Sequence, residues 1–142
     1  MFLPMAHSWT LHPQLENDTG LIGDLPLSQV RVMRDANYPW LLLVPRRAGA
    51  SEIVDLDPAD RVQLMTEIGD ASRVLKLVTQ CDKLNVAAIG NVVPQLHVHI
   101  VARRDDDAAW PRPVWGVAPP RAYEPAALNA LIDTIRHELS LG

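Results

Sequence analysis

Two segments in the first half of the chain have the hydrophobic patterns of strands. Apolar and polar residues alternate along Ser28–Met33, with two valines on one side and Gln29 and Arg31 on the other. This period of two is typical of a half-buried strand. The next apolar run, Trp40–Val44, lies between prolines and indicates a central strand covered on both faces. Turn formers in Arg34–Asn37 join the two segments, so the pattern predicts a hairpin.

A long helix is predicted from Asp57-Pro58 to about Gln80. The aspartate can accept free N–H groups of the first turn, and proline gives up a donor that has no partner there. Apolar residues then recur at steps of four and three, which places them on one side that faces a core. They are Leu64, Ile68, Ala71, Leu75 and Val78. We expect the opposite side of this helix to be polar.

The second half of the chain predicts two more strands and one more helix. Leu84–Ile89 and Leu96–Ala102 have strand patterns, and Gly90-Asn91 makes a turn between them. Pro125 opens a final helix with a regularly spaced apolar side, formed by Leu128, Leu131, Ile135 and Leu139. The order of strands, helix, strands and helix predicts an α+β fold, in which helices cover an antiparallel sheet.

The start of the chain has little periodic signal. Turn formers crowd the segment from Gln14 to Pro26 and predict an irregular lead-in with room for one short strand. Met1–His12 has no Lys or Arg and no apolar run of signal-peptide length, so we expect no export. The apolar stretch Pro39–Pro45 is far shorter than the roughly 20 residues that cross a bilayer. We therefore expect a soluble protein without a membrane partner.

Length and composition narrow the class further. The chain has 142 residues, 48% of them hydrophobic and 21% charged, which predicts one globular domain over residues 1–142. A net charge of −4 lacks the basic excess of a nucleic-acid groove, so we expect no nucleic-acid partner. The single cysteine, Cys81, cannot build a disulfide framework. It indicates the reducing cytosol and is expected to be a small buried hydrophobe.

The most informative segment is Pro94–Val101, with the sequence PQLHVHIV. Successive side chains of a strand point to opposite faces, so Gln95, His97 and His99 are expected to share the face opposite the apolar residues. The α-carbons of the two histidines would lie about 6.6 Å apart. Both imidazoles are then close enough to engage one phosphate-sized group.

This pair of histidines has three interpretations. Both could be half-exposed residues of a solvated sheet face, which is common for histidine. They could ligate zinc, but a catalytic zinc takes three protein ligands. His7 and His12 lie in the lead-in and His137 on the polar side of the last helix, so we expect no metal and no cofactor. In the third interpretation one neutral imidazole attacks phosphorus and forms a phosphohistidine.

The run Gly90–Val101 resembles the motif of the histidine triad, or HIT, superfamily, which is His-φ-His-φ-His-φ-φ with φ apolar. The segment Ser28–Arg46 is similar to the first hairpin of that family, and the later elements follow the family's order. The resemblance covers residues 28–104, with the C-terminal loop and helix in residues 105–142. It implies an antiparallel sheet of about five strands, one long central helix and a C-terminal helix.

The resemblance also implies a function. HIT enzymes cleave a nucleoside 5′-monophosphate from a leaving group, and many are homodimers. His97 matches the nucleophile, which would form a phosphohistidine that water cleaves, and His99 matches the histidine that contacts the phosphate or scissile oxygen. Asn85 and Asn91 lie where the family contacts the phosphate, and Asp35 lies where it binds the ribose hydroxyls. A local turn-forming role is the alternative for these three residues.

The sequence departs from the family motif at Gln95, which occupies the position of the first histidine. Glutamine donates and accepts hydrogen bonds but cannot become cationic near pH 7. An orienting role survives this change, whereas a proton-delivering role does not. A nucleotide-binding module with little turnover and a metal-dependent hydrolase therefore stay as alternatives. Val92 stands where many relatives carry a small hydroxyl residue, so we expect one phosphate contact fewer.

Charged and aromatic residues flank the motif. Arg46-Arg47 and Arg103-Arg104 are expected to be solvated strand ends, with contact to a polyphosphate as the alternative. Asp105–Asp107 is expected to stay hydrated, with magnesium binding as the alternative. The proline-restricted segment Trp110–Trp115 either packs its rings internally or lies over a base or a partner subunit.

Overall fold

The structure, a computed structural model, describes residues 8–141. His7, one of the histidines considered as a metal ligand, lies outside these residues. The helices and strands occur in the order α1 (Pro13–Asp18), β1 (Thr19–Asp24), β2 (Ser28–Met33), β3 (Trp40–Pro45), α2 (Pro58–Thr79), β4 (Lys83–Ala87), β5 (Val98–Arg103) and α3 (Pro125–Glu138).

The five strands form one antiparallel sheet in the order β1-β2-β3-β5-β4. The predicted hairpin of β2 and β3 is present, with Ser28 opposite Pro45 and Val32 opposite Leu41. β3 lies in the centre of the sheet, and every one of its residues is buried, as its unbroken apolar run predicted. The expected α+β architecture is confirmed.

α2 and α3 cover one face of the sheet. Asp57 caps α2 by accepting a hydrogen bond from the Asp60 N–H, and Pro58 occupies the first turn, as predicted. The buried side of α2 packs on this face through Leu64, Ala71 and Leu75. α3 packs beside it through a second apolar side, formed by Leu128 and Ile135, with Leu131 and Leu139 partly buried.

The opposite side of α2 is only partly polar. Thr66, Asp70, Arg73 and Lys76 are exposed there as expected. Three apolar residues are exposed as well, with Val62 69% exposed, Met65 66% and Leu77 53%. Helical periodicity alone did not reveal these exposed apolar residues.

The motif strand is shorter than predicted. β5 begins at Val98 instead of Leu96, because the Leu96 N–H donates to the carbonyl of Ala50 and so is not available to the neighbouring strand. β4 ends at Ala87 instead of Ile89. Residues 88–97 form a loop between the two strands, and Gly90 adopts a φ of 66° within it. The two strands still pair, with Ala87 opposite His99.

The lead-in contains more regular structure than expected. The one short strand for which the pattern left room is β1, which pairs with β2. A short helix, α1, precedes it and was missed, because its N-cap is His12, whose Nδ1 accepts a hydrogen bond from the Gln14 N–H. Histidine is not among the residues that usually signal a helix start.

Two charged residues after the motif strand are buried, which corrects the expectation that they are solvated. The side chain of Arg103 is 1% exposed and that of Asp107 is 7% exposed. The guanidinium of Arg103 donates two hydrogen bonds to the carboxylate of Asp107, of 2.8 Å from Nε and 3.0 Å from Nη2. Cys81 is buried with a free thiol, as predicted. Over residues 8–141, none of the helices combines the length and the apolar character that crossing a membrane requires.

Candidate active site

The histidine pair lies on the face of the sheet opposite α2 and α3, which we call the open face. His99 is in β5 between Leu42 of β3 and Ala87 of β4. His97 immediately precedes the strand, and its ring meets that of His99 edge to face, with 4.9 Å between ring centroids. His97 is 7% exposed and His99 4% exposed. The predicted sharing of one face is therefore confirmed for the two imidazoles.

A backbone hydrogen bond selects the tautomer of His97. Its Nδ1 lies 2.7 Å from the carbonyl oxygen of Gln95. A carbonyl oxygen only accepts hydrogen bonds, so Nδ1 must carry the proton. In the neutral ring this leaves the lone pair on Nε2, which is the atom that can attack an electrophile.

His99 is held in the opposite tautomer. The indole Nε1–H of Trp40 donates a hydrogen bond of 2.9 Å to His99 Nδ1. Because an indole N–H only donates, Nδ1 of His99 must be unprotonated and its proton resides on Nε2. Burial, with a smaller contribution from nearby His97, lowers the pKa of His99 to about 3. His99 is therefore neutral at pH 7 and presents an N–H donor.

The two rings together offer complementary groups. His97 presents a lone pair on Nε2, and His99 presents an N–H on Nε2. A phosphoryl group placed against the pair would meet a nucleophile at phosphorus and a hydrogen-bond donor at an oxygen. Two histidines on a solvated face would have neither tautomer fixed by a buried partner.

The pair opens into a cavity of about 300 Å³. Its lining includes apolar side chains, among them Leu15, Met33 and Trp115, and the polar side chains of Asp18 and Asn91. A second cavity of about 320 Å³ shares Asp18 and Met33 with the first. Because they share these walls, the two cavities are adjacent parts of one cleft.

Asp35 and Trp40 line the second cavity. Asp35 is 7% exposed, and its carboxylate accepts hydrogen bonds from the N–H groups of Asn37, at 3.0 Å, and Arg121, at 3.2 Å. Both bonds use Oδ1. The structure thus gives Asp35 a turn-stabilising contact and also places it at the cleft.

The two asparagines have different locations. Asn91 lines the cavity of the histidine pair. Asn85 does not line it, and its side-chain oxygen instead accepts a hydrogen bond of 2.8 Å from Arg103. Val92 also lines the cavity and is 90% exposed. The structure therefore brings Asn91 to the histidines and uses Asn85 to support a buried guanidinium.

The side chain of Gln95 points to the N-terminal segment. Its Oε1 accepts a hydrogen bond from the His12 N–H, and its Nε2 donates to the carbonyl of Thr10, both at 2.8 Å. Among residues 8–141, the hydrogen bond between Gln95 and the histidine pair is made by the backbone carbonyl of Gln95, not by its side chain. Of the three motif positions, two carry the imidazoles, and the third carries a side chain that hydrogen-bonds the N-terminal segment.

Sequence reasoning missed two tryptophans at the site. Trp40 was interpreted only as part of a buried strand, because its position beside His99 depends on pairing between β3 and β5, which are far apart in the chain. Trp115 belongs to the aromatic segment for which two roles stayed open. Its ring lies 5.0 Å from the ring of His99 and 5.6 Å from that of Trp40. Neither position has a local signal in the sequence.

The flanking charges form contacts elsewhere. Arg47 pairs with Asp60 at 2.6 Å, and Arg46 lies 3.4 Å from Asp24. Arg104 donates to the carbonyls of Thr79 and Gln80. Over the described range 8–141, no group of three or more His, Cys, Asp and Glu side chains is arranged to hold a metal ion.

Comparisons with known proteins place these features in a family. The HIT domain profile matches residues 14–106. The crystal structure of a histidine triad protein from Bradyrhizobium japonicum is 61% identical, with a TM-score of 0.92, and the match covers 93% of this chain and 98% of that chain. A histidine triad (HIT) protein from Sinorhizobium meliloti 1021 is 40% identical, with a TM-score of 0.89 over 92% of this chain and 96% of that chain.

Curated relatives are more distant. AP-4-A phosphorylases from two strains of Mycobacterium tuberculosis are 33% identical over 116 residues, which cover 72% of this chain and 56% of theirs. The chain therefore spans little more than half the length of these relatives.

Proposed function

The chain belongs to the HIT domain family, and we propose that it is an enzyme that cleaves a nucleoside 5′-monophosphate from a leaving group. The observation that carries this proposal is the pair of complementary tautomers. His97 has its lone pair on Nε2 because Gln95 O binds Nδ1, and His99 has its proton on Nε2 because Trp40 binds Nδ1. This is the pair of groups that nucleophilic displacement at phosphorus requires.

In the proposed reaction, Nε2 of His97 attacks the phosphorus atom. A P–N bond forms, the bond from phosphorus to the leaving group breaks, and the leaving group departs with that electron pair and takes a proton from solvent. The Nε2–H of His99 donates a hydrogen bond to a phosphoryl oxygen as charge develops there. The carbonyl of Gln95 stabilises the ring of His97, which gains positive charge when it is phosphorylated.

The second step returns the enzyme to its starting state. Water attacks the same phosphorus atom, the P–N bond breaks, and its electron pair returns to His97 Nε2. The products are a nucleoside 5′-monophosphate and a proton. Two displacements at one phosphorus atom replace a single direct attack by water, which is the advantage of covalent catalysis.

The cleft suggests how the nucleotide binds. With its phosphate at the histidine pair, the nucleoside would extend into the second cavity, where Asp35 would accept hydrogen bonds from the ribose hydroxyls and the base would lie near Met33 and Trp40. Asn91 would contact the phosphate. Leaving groups compatible with this chemistry are those of phosphoramidates, dinucleoside polyphosphates and nucleotide sugars.

A product assay tests the proposal. We expect the natural protein to release AMP from adenosine phosphoramidate or a diadenosine polyphosphate in the presence of EDTA. His97→Ala should reduce the rate by about a thousandfold or more, as expected when a nucleophile is removed. His137→Ala, a change of an exposed histidine on α3, is the matched control and should leave the rate unchanged. Acid quenching of the natural protein should trap phosphate on His97.

Other outcomes favour the alternatives. Gln95 at the first motif position is the observation that favours a nucleotide-binding module. A binding module predicts that the natural protein and His97→Ala both bind AMP tightly and that neither releases AMP from a substrate. Loss of activity in EDTA, restored by a metal, would instead indicate a metal-dependent hydrolase that uses His97 and His99.

We further propose that the protein is a homodimer that pairs through β4. This strand is one edge of the sheet, and Val86 on it is 49% exposed. Met65 and Val62 on α2 are also exposed, at 66% and 69%. A free strand edge with an exposed apolar residue is typical of a protein interface, and so are exposed apolar residues on a helix.

The two edges of the sheet provide a matched test of the dimer. Val86→Arg should convert the dimer to a monomer in sedimentation velocity experiments. Leu21→Arg changes a residue of equal exposure, 49%, on the other edge strand and should leave the mass unchanged. A natural protein that sediments as a monomer would refute the proposal.

The free thiol of Cys81 is consistent with function in the reducing cytosol, where we propose that the protein acts.

A further inference from the structure

One wall of the catalytic cavity is formed by residues 9–18, which we call the N-terminal wall. The wall crosses the open face and ends in α1, where Gln14, Leu15 and Asp18 line the cavity with the histidine pair. Leu15 is buried against the open face, and Trp9 and Leu11 pack there in part. The position of the wall therefore determines the shape of the cleft.

Gln95 links this wall to the histidine motif through both ends of its amide. The carbonyl oxygen accepts from the N–H of His12, and the amide NH₂ donates to the carbonyl of Thr10, each at 2.8 Å. His12 continues the connection, because its Nδ1 accepts from the N–H of Gln14 at the start of α1. An unbroken series of hydrogen bonds thus runs from the motif to the helix that lines the cavity.

An amide suits this position for a chemical reason. The carbonyl oxygen and the N–H on the same side of a primary amide point in nearly the same direction, so the amide can accept from a backbone N–H and donate to a backbone C=O at the same time. The donor and acceptor of a neutral imidazole lie on separate ring nitrogens that point away from each other. Glutamine at position 95 can therefore form both of the bonds seen here, to Thr10 and to His12.

The orientation of the nucleophile does not depend on this side chain. Nδ1 of His97 donates to the backbone carbonyl of Gln95, a group that every amino acid provides. The backbone and the side chain of Gln95 therefore have separate roles, since the backbone orients His97 and the side chain anchors the wall.

We propose that Gln95 is a positioning residue that anchors the N-terminal wall of the cleft and supports substrate binding, and that its side chain takes no part in proton transfer. The kinetic part of this inference rests on the proposed function, whereas the anchoring does not. Without the amide, the wall would leave its position for part of the time. The apparent affinity for the nucleotide would fall in proportion to the fraction of molecules that have the wall in place.

Gln95→Ala removes both bonds and tests the proposal directly. We expect hydrogen exchange at the His12 amide and in α1 to become about tenfold faster, and KM to rise about tenfold, because two partly exposed hydrogen bonds are lost. kcat and its pH profile should stay within about twofold, since His97 and His99 keep their partners. Gln95→Glu retains an acceptor for His12 but places a carboxylate oxygen, which only accepts, against the carbonyl of Thr10, so it should also raise KM and speed exchange in the wall.

Gln63→Ala is the matched control. This glutamine also forms a side-chain hydrogen bond, to Glu67, but it lies on α2 away from the open face. We expect exchange in residues 9–18 and KM to match those of the natural protein.

Two results would overturn the proposal. One is unchanged exchange in residues 9–18 of Gln95→Ala. The other is a fall in kcat at constant KM, or a rise in kcat in Gln95→His, because either would place the side chain in the chemistry. If the natural protein turns over no substrate, the proposed function fails, but exchange and AMP affinity still test the anchor. In that case a Gln95→Ala protein that binds AMP as tightly as the natural one would refute it.

Discussion

The two faces of the sheet are buried by different means. The face under α2 and α3 is filled by alternating aliphatic residues of the strands, such as Leu41, Leu43 and Ile100, and covered by the apolar sides of two helices. The open face buries Arg31, Arg103 and the histidine pair, and its cover includes segments without helix or strand.

This difference has an energetic basis. Aliphatic residues under helices need only be removed from water, and any well-packed apolar partner meets that need. A buried charge or imidazole must instead meet a specific partner, or it costs several kcal/mol. On the open face Arg31 donates to Thr19, Arg103 to Asp107, and His99 accepts from Trp40.

The open face therefore depends on a few directed contacts, and the helix-covered face on many undirected ones. A group that must be presented in one protonation state needs directed contacts. This explains why the candidate site is on the face that α2 and α3 leave uncovered.

The largest expected effect comes from breaking the ion pair that fixes the C-terminal loop to the open face. The guanidinium of Arg103 is held by Asp107 and Asn85 and lies over the rings of Tyr38 and Trp110 at 5.7 and 5.5 Å. Arg103→Ala would remove the only charged group that binds the Asp107 carboxylate, among residues 8–141, and leave it with backbone N–H donors alone. We therefore expect the free energy of unfolding to fall by about 3 to 5 kcal/mol. Urea denaturation measures this change.

Two further variants turn this measurement into a test of the comparison. Arg104→Ala removes the neighbouring exposed arginine and should change the free energy of unfolding by at most about 1 kcal/mol. Leu64→Ala on the helix-covered face should cost about 2 to 5 kcal/mol. Arg103→Ala should also speed hydrogen exchange in residues 105–115, and Leu64→Ala should not do so selectively. If Arg103→Ala and Leu64→Ala showed the same pattern of hydrogen exchange, the two faces would not be stabilised by different kinds of contact.

The helix-covered face was largely predictable from the sequence. Its elements have local signals in the sequence, and each signal led to the correct element. These signals are the period of β2, the unbroken apolar run of β3, the cap at Asp57 and the apolar side of α2. The exposed apolar residues of α2 were not predicted, because periodicity identifies the core side but does not show what the other side contacts.

The open face was predictable only in part. Alternation around His97 and His99 placed both rings on one face, and Cys81 is buried as expected. The burial of Arg103 and Asp107 was missed, since nothing local distinguishes a paired arginine at a strand end from a solvated one. The contact of Trp40 with His99 and that of Gln95 with Thr10 join residues far apart in the chain, and one sequence alone has no signal for them.

A smaller change isolates one directed contact. Trp40→Phe retains an aromatic ring but removes the N–H that donates to His99 Nδ1. His99 should then populate both tautomers, which the ¹⁵N chemical shifts of its ring will report. Loss of one hydrogen bond to the site predicts a fall in activity of about tenfold. Trp115→Phe removes an indole whose ring contacts His99 edge to face, and it should leave the His99 tautomer unchanged. A single fixed tautomer in Trp40→Phe would show that another group orients His99.

The most gradual effect is the dependence of stability on pH. Burial, assisted by His97, lowers the pKa of His99 from 6.5 to about 3. Burial of Asp107 favours its neutral form, but hydrogen bonds from Arg103 and the backbone outweigh this and lower its pKa from 3.8 to about 2. Between the pKa of the folded chain and the ordinary pKa of each group, the unfolded chain binds a proton that the folded chain does not. The free energy of unfolding must therefore fall as the pH is lowered through these two ranges.

Below pH 6.5 the fall comes from His99, and below pH 3.8 Asp107 adds to it. We expect a slope of about 1 kcal/mol per pH unit between pH 6 and pH 4, measured by urea denaturation at each pH. His99→Gln should flatten the slope in this window, whereas His137→Gln on the exposed side of α3 should retain it. If His99→Gln retains the full slope, the protonation of the open face is not controlled by its burial. The contrast between a face that holds fixed tautomers and one that only excludes water would then no longer hold.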